Sequence, residues 1–217
     1  MLKKILVFLT FSFIILADTF KVLTPAESRT YSGKGDFTYA IGDNYKGEWS
    51  NGKRNGFGVY TWKNGDKYLG YWVNDKLSGK GTYIWNTKDI YQGNFSDDKK
   101  NGFSVLLWNN GDYYEGNFIN ENRSGKGVYV WSDGTVYTGD FLNNIRQGKG
   151  KIKWPNGDTY DGDWVNGTRT GQGTLNWNNG DIYIGSFKND KLHGQGKFIG
   201  IYGELWDGTW DNDNFMD

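Results

Sequence analysis

The sequence predicts an all-β fold, an elongated ribbon of antiparallel β-hairpins. Three observations carry that expectation. A 23-residue unit recurs from Gly33 to Trp210 with no insertion or deletion. Glycine is abundant (33 residues) and aromatic residues reach 18%, yet hydrophobic residues total only 36%, too few for a helical core. Within each unit, aromatic residues alternate with other positions as on a strand with one buried face. The aromatic content argues against disorder. Two prolines and no three-residue glycine period exclude collagen.

Residues 1–17 stand apart. Met1-Leu2-Lys3-Lys4 is a short basic start, Ile5 to Leu16 is an apolar run, and Ala17 precedes the polar Asp18-Thr19. This is the layout of a secretory signal peptide. The run is shorter than the ~20 residues of a spanning helix. Ile15 is large for a cleavage site, so an uncleaved anchor is the alternative reading. Residues 18–32 read as a linker, 33–210 as the repeat array and 211–217 as an acidic tail. Export, to a periplasm, a membrane surface or the medium, is the expected localisation.

Each unit of the array holds two short strands. Tyr45, Gly47 and Trp49 mark the first; Gly58, Tyr60 and Trp62 mark the second. The tyrosine series runs Tyr45, Tyr68, Tyr91, Tyr114, Tyr137, Tyr160 and Tyr183, and Trp206 continues it. The units are 45–67, 68–90, 91–113, 114–136, 137–159, 160–182 and 183–205. Polar stretches such as Asn51-Gly52-Lys53-Arg54-Asn55 read as turns within units. Asn64-Gly65 and its counterparts read as hairpin turns between units. Tyr45 and Trp49 are odd-numbered, Tyr60 and Trp62 even. If all four rings share a face, the turn within a unit holds an even number of residues and the turn between units an odd number. Asn64-Gly65-Asp66 is the expected three-residue loop. Under that pairing Trp49 faces Gly58, and the glycines give the rings a floor. About 16 strands at ~4.8 Å spacing make a ribbon roughly 75 Å long.

The pattern Gly65-Asp66-x-Tyr68-x-Gly70-x-Trp72-x-Asn74, followed by Gly79-x-Gly81, resembles the MORN repeat (membrane occupation and recognition nexus). The resemblance covers residues 33–210. It implies an antiparallel hairpin array used for scaffolding, self-association and, in some members, contact with acidic lipids. Unit 91–113 departs from the pattern most: Lys88 stands at the preceding turn glycine and Ser104 at a strand glycine. Gly200 replaces the closing tryptophan of the last unit.

Formal net charge is zero, from 25 basic and 25 acidic residues, so no overall field attracts nucleic acid. Cysteine is absent and His193 is the one histidine, which removes thiolate chemistry and multi-histidine metal sites. No catalytic set, cofactor site or metal site is expected, and His193 reads as solvated in a polar turn. Asp43, Asp66, Asp89, Asp112, Asp158 and Asp181 could form a cation ladder, but Asp after Asn-Gly is better read as bonding its own turn. The within-unit turns carry Lys53, Arg54, Lys76, Lys99, Lys100, Arg123, Arg146, Arg169 and Lys191. These gather on one long edge as a candidate anionic-surface site, with the aspartates on the other edge. Acids such as Asp97, Glu121 and Asp190 dilute that rim. A partly open ring face suits a protein partner or a second copy of the ribbon, and Phe103, Leu106 and Leu107 look like thickening of that contact. The functional expectation is a non-enzymatic, exported scaffold or adaptor meeting a protein or an anionic membrane. The alternative is a glycan or cell-wall binding module that uses exposed rings.

Overall fold

The computed structural model describes residues 19–216; the segment read as a signal peptide lies outside them. The chain forms β1 (Lys21–Val22), one 3-10 turn (Glu27–Arg29) and β2 (Gly33–Thr38). Seven-residue and nine-residue strands then alternate: β3 (Asn44–Ser50), β4 (Lys53–Thr61), β5 (Lys67–Val73), β6 (Lys76–Ile84), β7 (Ile90–Ser96), β8 (Lys99–Leu107), β9 (Tyr113–Ile119) and β10 (Asn122–Val130). The series continues with β11 (Val136–Leu142), β12 (Ile145–Lys153), β13 (Thr159–Val165), β14 (Thr168–Asn176), β15 (Ile182–Lys188) and β16 (Lys191–Ile199). β17 (Leu205–Asp211) and β18 (Asn214–Met216) close it. From β2 onward each strand pairs antiparallel with the next, and β1 lies parallel on β2. The result is an open sheet of 18 strands, an all-β hairpin ribbon. The segments read as linker and tail contribute β1 and β18.

The turns within units are tighter than the five polar residues expected. Ser50 pairs with Lys53, which leaves Asn51-Gly52 as a two-residue turn with φ of 50° and 74°. Both residues sit in the left-handed region, the type I′ geometry that matches strand twist. Asn, Asp and Glu hold the same conformation in other units, as at Asn74-Asp75 and Asn120-Glu121. The even count required by parity holds. Between units, the Trp62 N–H donates to Asp66 O at 3.0 Å and the Gly65 N–H to Trp62 O at 2.9 Å. The three-residue loop is therefore Lys63-Asn64-Gly65, one residue earlier than Asn64-Gly65-Asp66.

Register explains a larger correction. Gly47 pairs with Gly58, but Trp49 pairs with Arg54, because β4 carries two extra residues between those pairs. Trp49 thus does not face Gly58. The tyrosine takes the glycine floor: Tyr45 lies over Gly47 and Gly58, whose missing side chains its ring would overlap. Its hydroxyl donates to Glu48 O at 2.9 Å. Its edges meet Trp49 (5.1 Å, 78°) and Trp72 of the next unit (5.5 Å, 78°). Each tyrosine is clamped between its own unit and the next, and aromatic pairs of this kind add about 0.5–1.5 kcal/mol each beyond area burial. All seven tyrosines of the series are 0% exposed. Rings therefore fill one face, as parity required, and couple neighbouring units.

The lapses in the repeat are compensated locally. Ser104 occupies a floor position, and its hydroxyl lies 2.6 Å from the Tyr91 hydroxyl. At the first edge, Leu23 covers Gly35, where the preceding tyrosine ring would lie. At the last edge, β18 covers only Thr209–Asp211 of β17. Trp206, at the tyrosine position, is consequently 45% exposed. Leu106 is buried among the rings, but Phe103 and Leu107 lie on the other face of β8, so these three do not form one contact.

Candidate functional site: the ring face and its two edges

The loop edge is built from the aspartate series, whose role reaches beyond the expected bonding of its own turn. Asp66 Oδ1 accepts the N–H of Asn86 at 2.8 Å, and Oδ2 accepts the Tyr83 hydroxyl at 3.0 Å. Asp43 does the same with Lys63 (2.9 Å) and Tyr60 (2.7 Å). Asp112 does so with Ser132 and Tyr129, both at 2.8 Å. Asp89, Asp158 and Asp181 keep the backbone half of the arrangement, to Asn109, Asn178 and Ile201. Each carboxylate staples one loop to the loop of the next unit. Every one of these six carboxylates thus commits at least one oxygen to the loop of the next unit. Burial opposes ionisation of Asp112, but the Tyr129 hydroxyl and the Ser132 and Asn110 donors outweigh it, so its carboxyl lies below the usual range. Within the turns, Asn64 Oδ1 accepts the Asp66 N–H at 3.0 Å, and Asp89, Asp158 and Asp181 accept from the side chains of Thr87, Asn156 and Asn179 at 3.0, 2.8 and 2.7 Å.

Thr135 is the exception, and the sequence one unit on explains it. The backbone donor would be residue 155, a proline without an N–H, and the hydroxyl donor would be residue 152, an isoleucine. An aspartate at Thr135 would find neither partner. We expect Asp112→Ala to cost about 1–3 kcal/mol, because the Tyr129 hydroxyl and Ser132 N–H lose their acceptor. Thr135→Asp should give no stabilisation. Denaturant midpoints of both variants check this pair; a gain from Thr135→Asp would contradict the staple.

The hairpin edge splits the nine candidate basic residues into two classes. Lys53, Lys76, Lys99 and Lys191 open their strands and are exposed. Arg54, Lys100, Arg123, Arg146 and Arg169 follow one position later or at the equivalent position, so they face the rings. The Arg54 guanidinium lies 4.3 Å from the Trp72 ring centre and 4.9 Å from that of Tyr60. Arg146 lies 4.2 Å from the Trp164 ring centre. These are cation–π distances. Each of the five also bonds the next turn: Arg54 pairs with Asp75 at 3.0 Å, Lys100 with Glu121 at 2.9 Å and Arg169 with Asp190 at 3.1 Å. Arg123 meets Asn144 instead, donating to its carbonyl at 3.1 Å, and Arg146 donates to Gly167 O at 2.7 Å. Desolvation draws the Arg146 pKa below the usual arginine value. The structure does not present one continuous basic rim. It presents exposed lysines on one face of that edge and a row of ring-stacked cations on the other. His193, expected in a solvated turn, lies in β16 with Nδ1 3.1 Å from Asp211 Oδ1.

Sequence reasoning missed the groove on the ring face, an open hollow of about 850 Å³ toward the end of the array. Trp154, Trp177, Phe198 and Trp206 line it with Arg169, Leu175 and Leu192. Three lapses of the repeat fall in these units. Leu175 stands where Tyr60 stands in its unit, Leu192 where Arg54 stands, and Gly200 where Trp62 stands. The signal lay in these lapses of the repeat, once the equivalent positions were known to meet over one floor.

An unbroken run of equivalent hairpins, each completing its core only against its neighbours, defines a repeat protein of the linear, solenoid-like class. The chain belongs to the MORN repeat family: the family's model matches seven consecutive stretches, 45–67, 68–90, 91–113, 114–136, 137–159, 160–182 and 183–200. No curated protein sequence matches the chain. Among solved structures it is similar to the G-box domain of the microcephaly protein CPAP, at 14% identity and a TM-score of 0.47, covering 82% of this chain and 99% of that one. It is also similar to the TCP domain of Drosophila melanogaster SAS-4, solved in complex with a proline-rich motif of Ana2 (17% identity, TM-score 0.44, 70% and 83% covered). The TCP10 domain of Danio rerio CPAP is a third (15% identity, TM-score 0.44, 78% and 80% covered).

Proposed function

We propose that this protein is a non-enzymatic, exported repeat scaffold that holds a protein partner on its ring-bearing face. The groove between Trp154, Trp177, Phe198 and Trp206 carries the reading. The closing tryptophans of the ring face are half-buried along the array; in the groove they stand beside the more exposed Trp206 and polar groups, a combination that suits a binding site. Export rests on the leader-like composition of residues 1–17. The opposite face carries ion pairs across its strands, such as Lys149–Asp163 at 2.6 Å and Lys126–Asp140 at 2.8 Å, and suits solvent.

The test is identification of the protein that co-purifies with the exported chain, followed by affinity measurement with purified partners. Trp177→Ala should weaken binding by tenfold or more, as for an aromatic anchor in a pocket. Phe103→Ala, on the opposite face and 57% exposed, should leave it unchanged. Full affinity in Trp177→Ala would refute the groove as the site. Oligosaccharide binding lost in the same variant would move the assignment to a glycan.

A further inference from the structure

Along the hairpin edge, the row of residues facing the rings follows a pairing rule. Arg54, Lys100 and Arg169 each meet a carboxylate from the next turn, Asp75, Glu121 and Asp190 respectively. Where the cation is replaced by Leu77 or Leu192, the acid stays: Asp98 and Asp213 accept the leucine N–H at 2.7 and 2.8 Å. Only two adjacent units break the rule the other way. Arg123 faces Asn144 and Arg146 faces Gly167, and among the described residues neither guanidinium has a carboxylate within ion-pair distance. The ring-facing row is therefore neutral at its paired units, acidic at Asp98 and Asp213, and doubly positive at its middle.

Both guanidiniums are held in place. Arg123 lies 5.1 Å from the Tyr129 ring centre and 5.6 Å from those of Tyr114 and Phe141. Arg146 is fixed between Trp164 and Tyr137. Their bonds to Asn144 and Gly167 use few of the five N–H donors that each arginine carries. A stacked, preoriented guanidinium loses less freedom on binding than a surface lysine and suits a carboxylate bidentately.

We propose that Arg123 and Arg146 form a two-point clamp for an acidic polypeptide segment. The inference rests on the reading of the ring face as the partner-binding face, and it names a chemistry for that partner. A flat anionic membrane fits less well, because the exposed Lys53, Lys76, Lys99 and Lys191 stand on the other face of the strands while the clamp lies half-buried against rings. Spacing narrows the segment further. Equivalent positions in adjacent units are two strand spacings apart, about 10 Å. In a polyproline-II segment, side chains three residues apart return to one side after about 9.3 Å. A β-strand presents same-side groups at about 6.7 or 13 Å and misses that distance. Two acids at i and i+3 on a proline-rich, extended stretch match that spacing and are the ligand chemistry put to the test.

The probes are the synthetic peptides (Glu-Pro-Pro)6 and (Gln-Pro-Pro)6, titrated into the full chain at low salt. The acidic peptide should bind at least tenfold more tightly. Asn144→Asp with Gly167→Asp supplies the missing carboxylates from within, as Asp75 and Asp190 do at the same turn position with φ of 72° and 69°. That double variant keeps both arginines and their stacking and should abolish the preference; circular dichroism checks that the sheet is retained, since a side chain at Gly167 bears the cost of a left-handed backbone. Arg123→Gln with Arg146→Gln should abolish it too, while Arg54→Gln, at a paired cation outside the groove, should leave it intact. Equal binding of the two peptides would overturn the clamp, as would equal loss in Arg54→Gln. Phosphatidylserine vesicles that displace the acidic peptide and lose binding in Asn144→Asp/Gly167→Asp would overturn the polypeptide assignment in favour of lipid. Trp177→Ala should keep the preference for the acidic over the neutral peptide, whatever it does to affinity for the partner, so failure of the clamp and failure of the groove are separate results.

Discussion

Replacing Gly139 by alanine is expected to destabilise the array by about 3 kcal/mol or more, the upper end of overpacking effects. The added methyl would lie 2.5 Å from the Gly150 Cα, 2.6 Å from Lys149 O and 2.5 Å from the Tyr137 hydroxyl. Two of these neighbours are backbone of the adjoining strand and cannot rotate away. Relief requires Tyr137 to leave the floor, which breaks its edge contacts with Phe141 (5.2 Å) and with Trp164 of the next unit (5.3 Å). The damage therefore crosses a unit boundary, and the unfolding transition should broaden or split. Gly134→Ala is the control. That loop glycine has φ of 92° and nothing within 4 Å of the new methyl, so only the left-handed backbone costs, about 1 kcal/mol. Urea titrations of the two variants compare them. Equal loss at both sites would show that the floor glycines are conformational devices and not space for the rings.

The second large effect is alkaline unfolding. Burial pushes the Tyr91, Tyr114, Tyr137 and Tyr183 hydroxyls up to about 12, and burial raises Tyr45, Tyr68 and Tyr160 further still. An unfolded tyrosine titrates near 10. The folded chain thus retains protons that the unfolded chain releases. The stability held by neutral tyrosines is complete below pH ~10 and is lost as pH rises through the folded values. Each tyrosine contributes a slope of up to about 1.4 kcal/mol per pH unit in that window. Seven acting together should collapse the sheet between pH ~10 and ~12. Circular dichroism and phenolate absorbance should change together in one steep transition. Gradual titration near pH 10 with the sheet intact would contradict burial of the series.

Several features could be read in residues before any coordinates. The spacing of Tyr45, Gly47 and Trp49 gave the strand, and the parity of Trp49 against Tyr60 put their rings on one face. The same parity required an even turn, which Asn51-Gly52 satisfies. The candidate site was less legible. Arg54 and Lys53 look alike as neighbouring cations in a polar turn, yet one is 18% exposed and stacked while the other is solvent-facing. Asp66 looks like a turn residue, yet it serves the loop 20 residues on. Both facts depend on which hairpins are neighbours across the ribbon.

By itself the sequence determined the period, the one-sided ring face and the abundance of backbone uncovered by side chains. Those properties are carried by residue type and by counting modulo two and modulo 23. The tertiary structure alone decided that tyrosine and not tryptophan lies on the glycines, that the aspartates staple successive loops, and that Arg123 and Arg146 lack acids. The physical reason is the register of β3 against β4. Side-chain direction in a strand repeats every two residues, so a shift of two leaves every face unchanged and no parity argument detects it. That shift exchanges which ring meets which glycine and sets each arginine against the turn of the following unit.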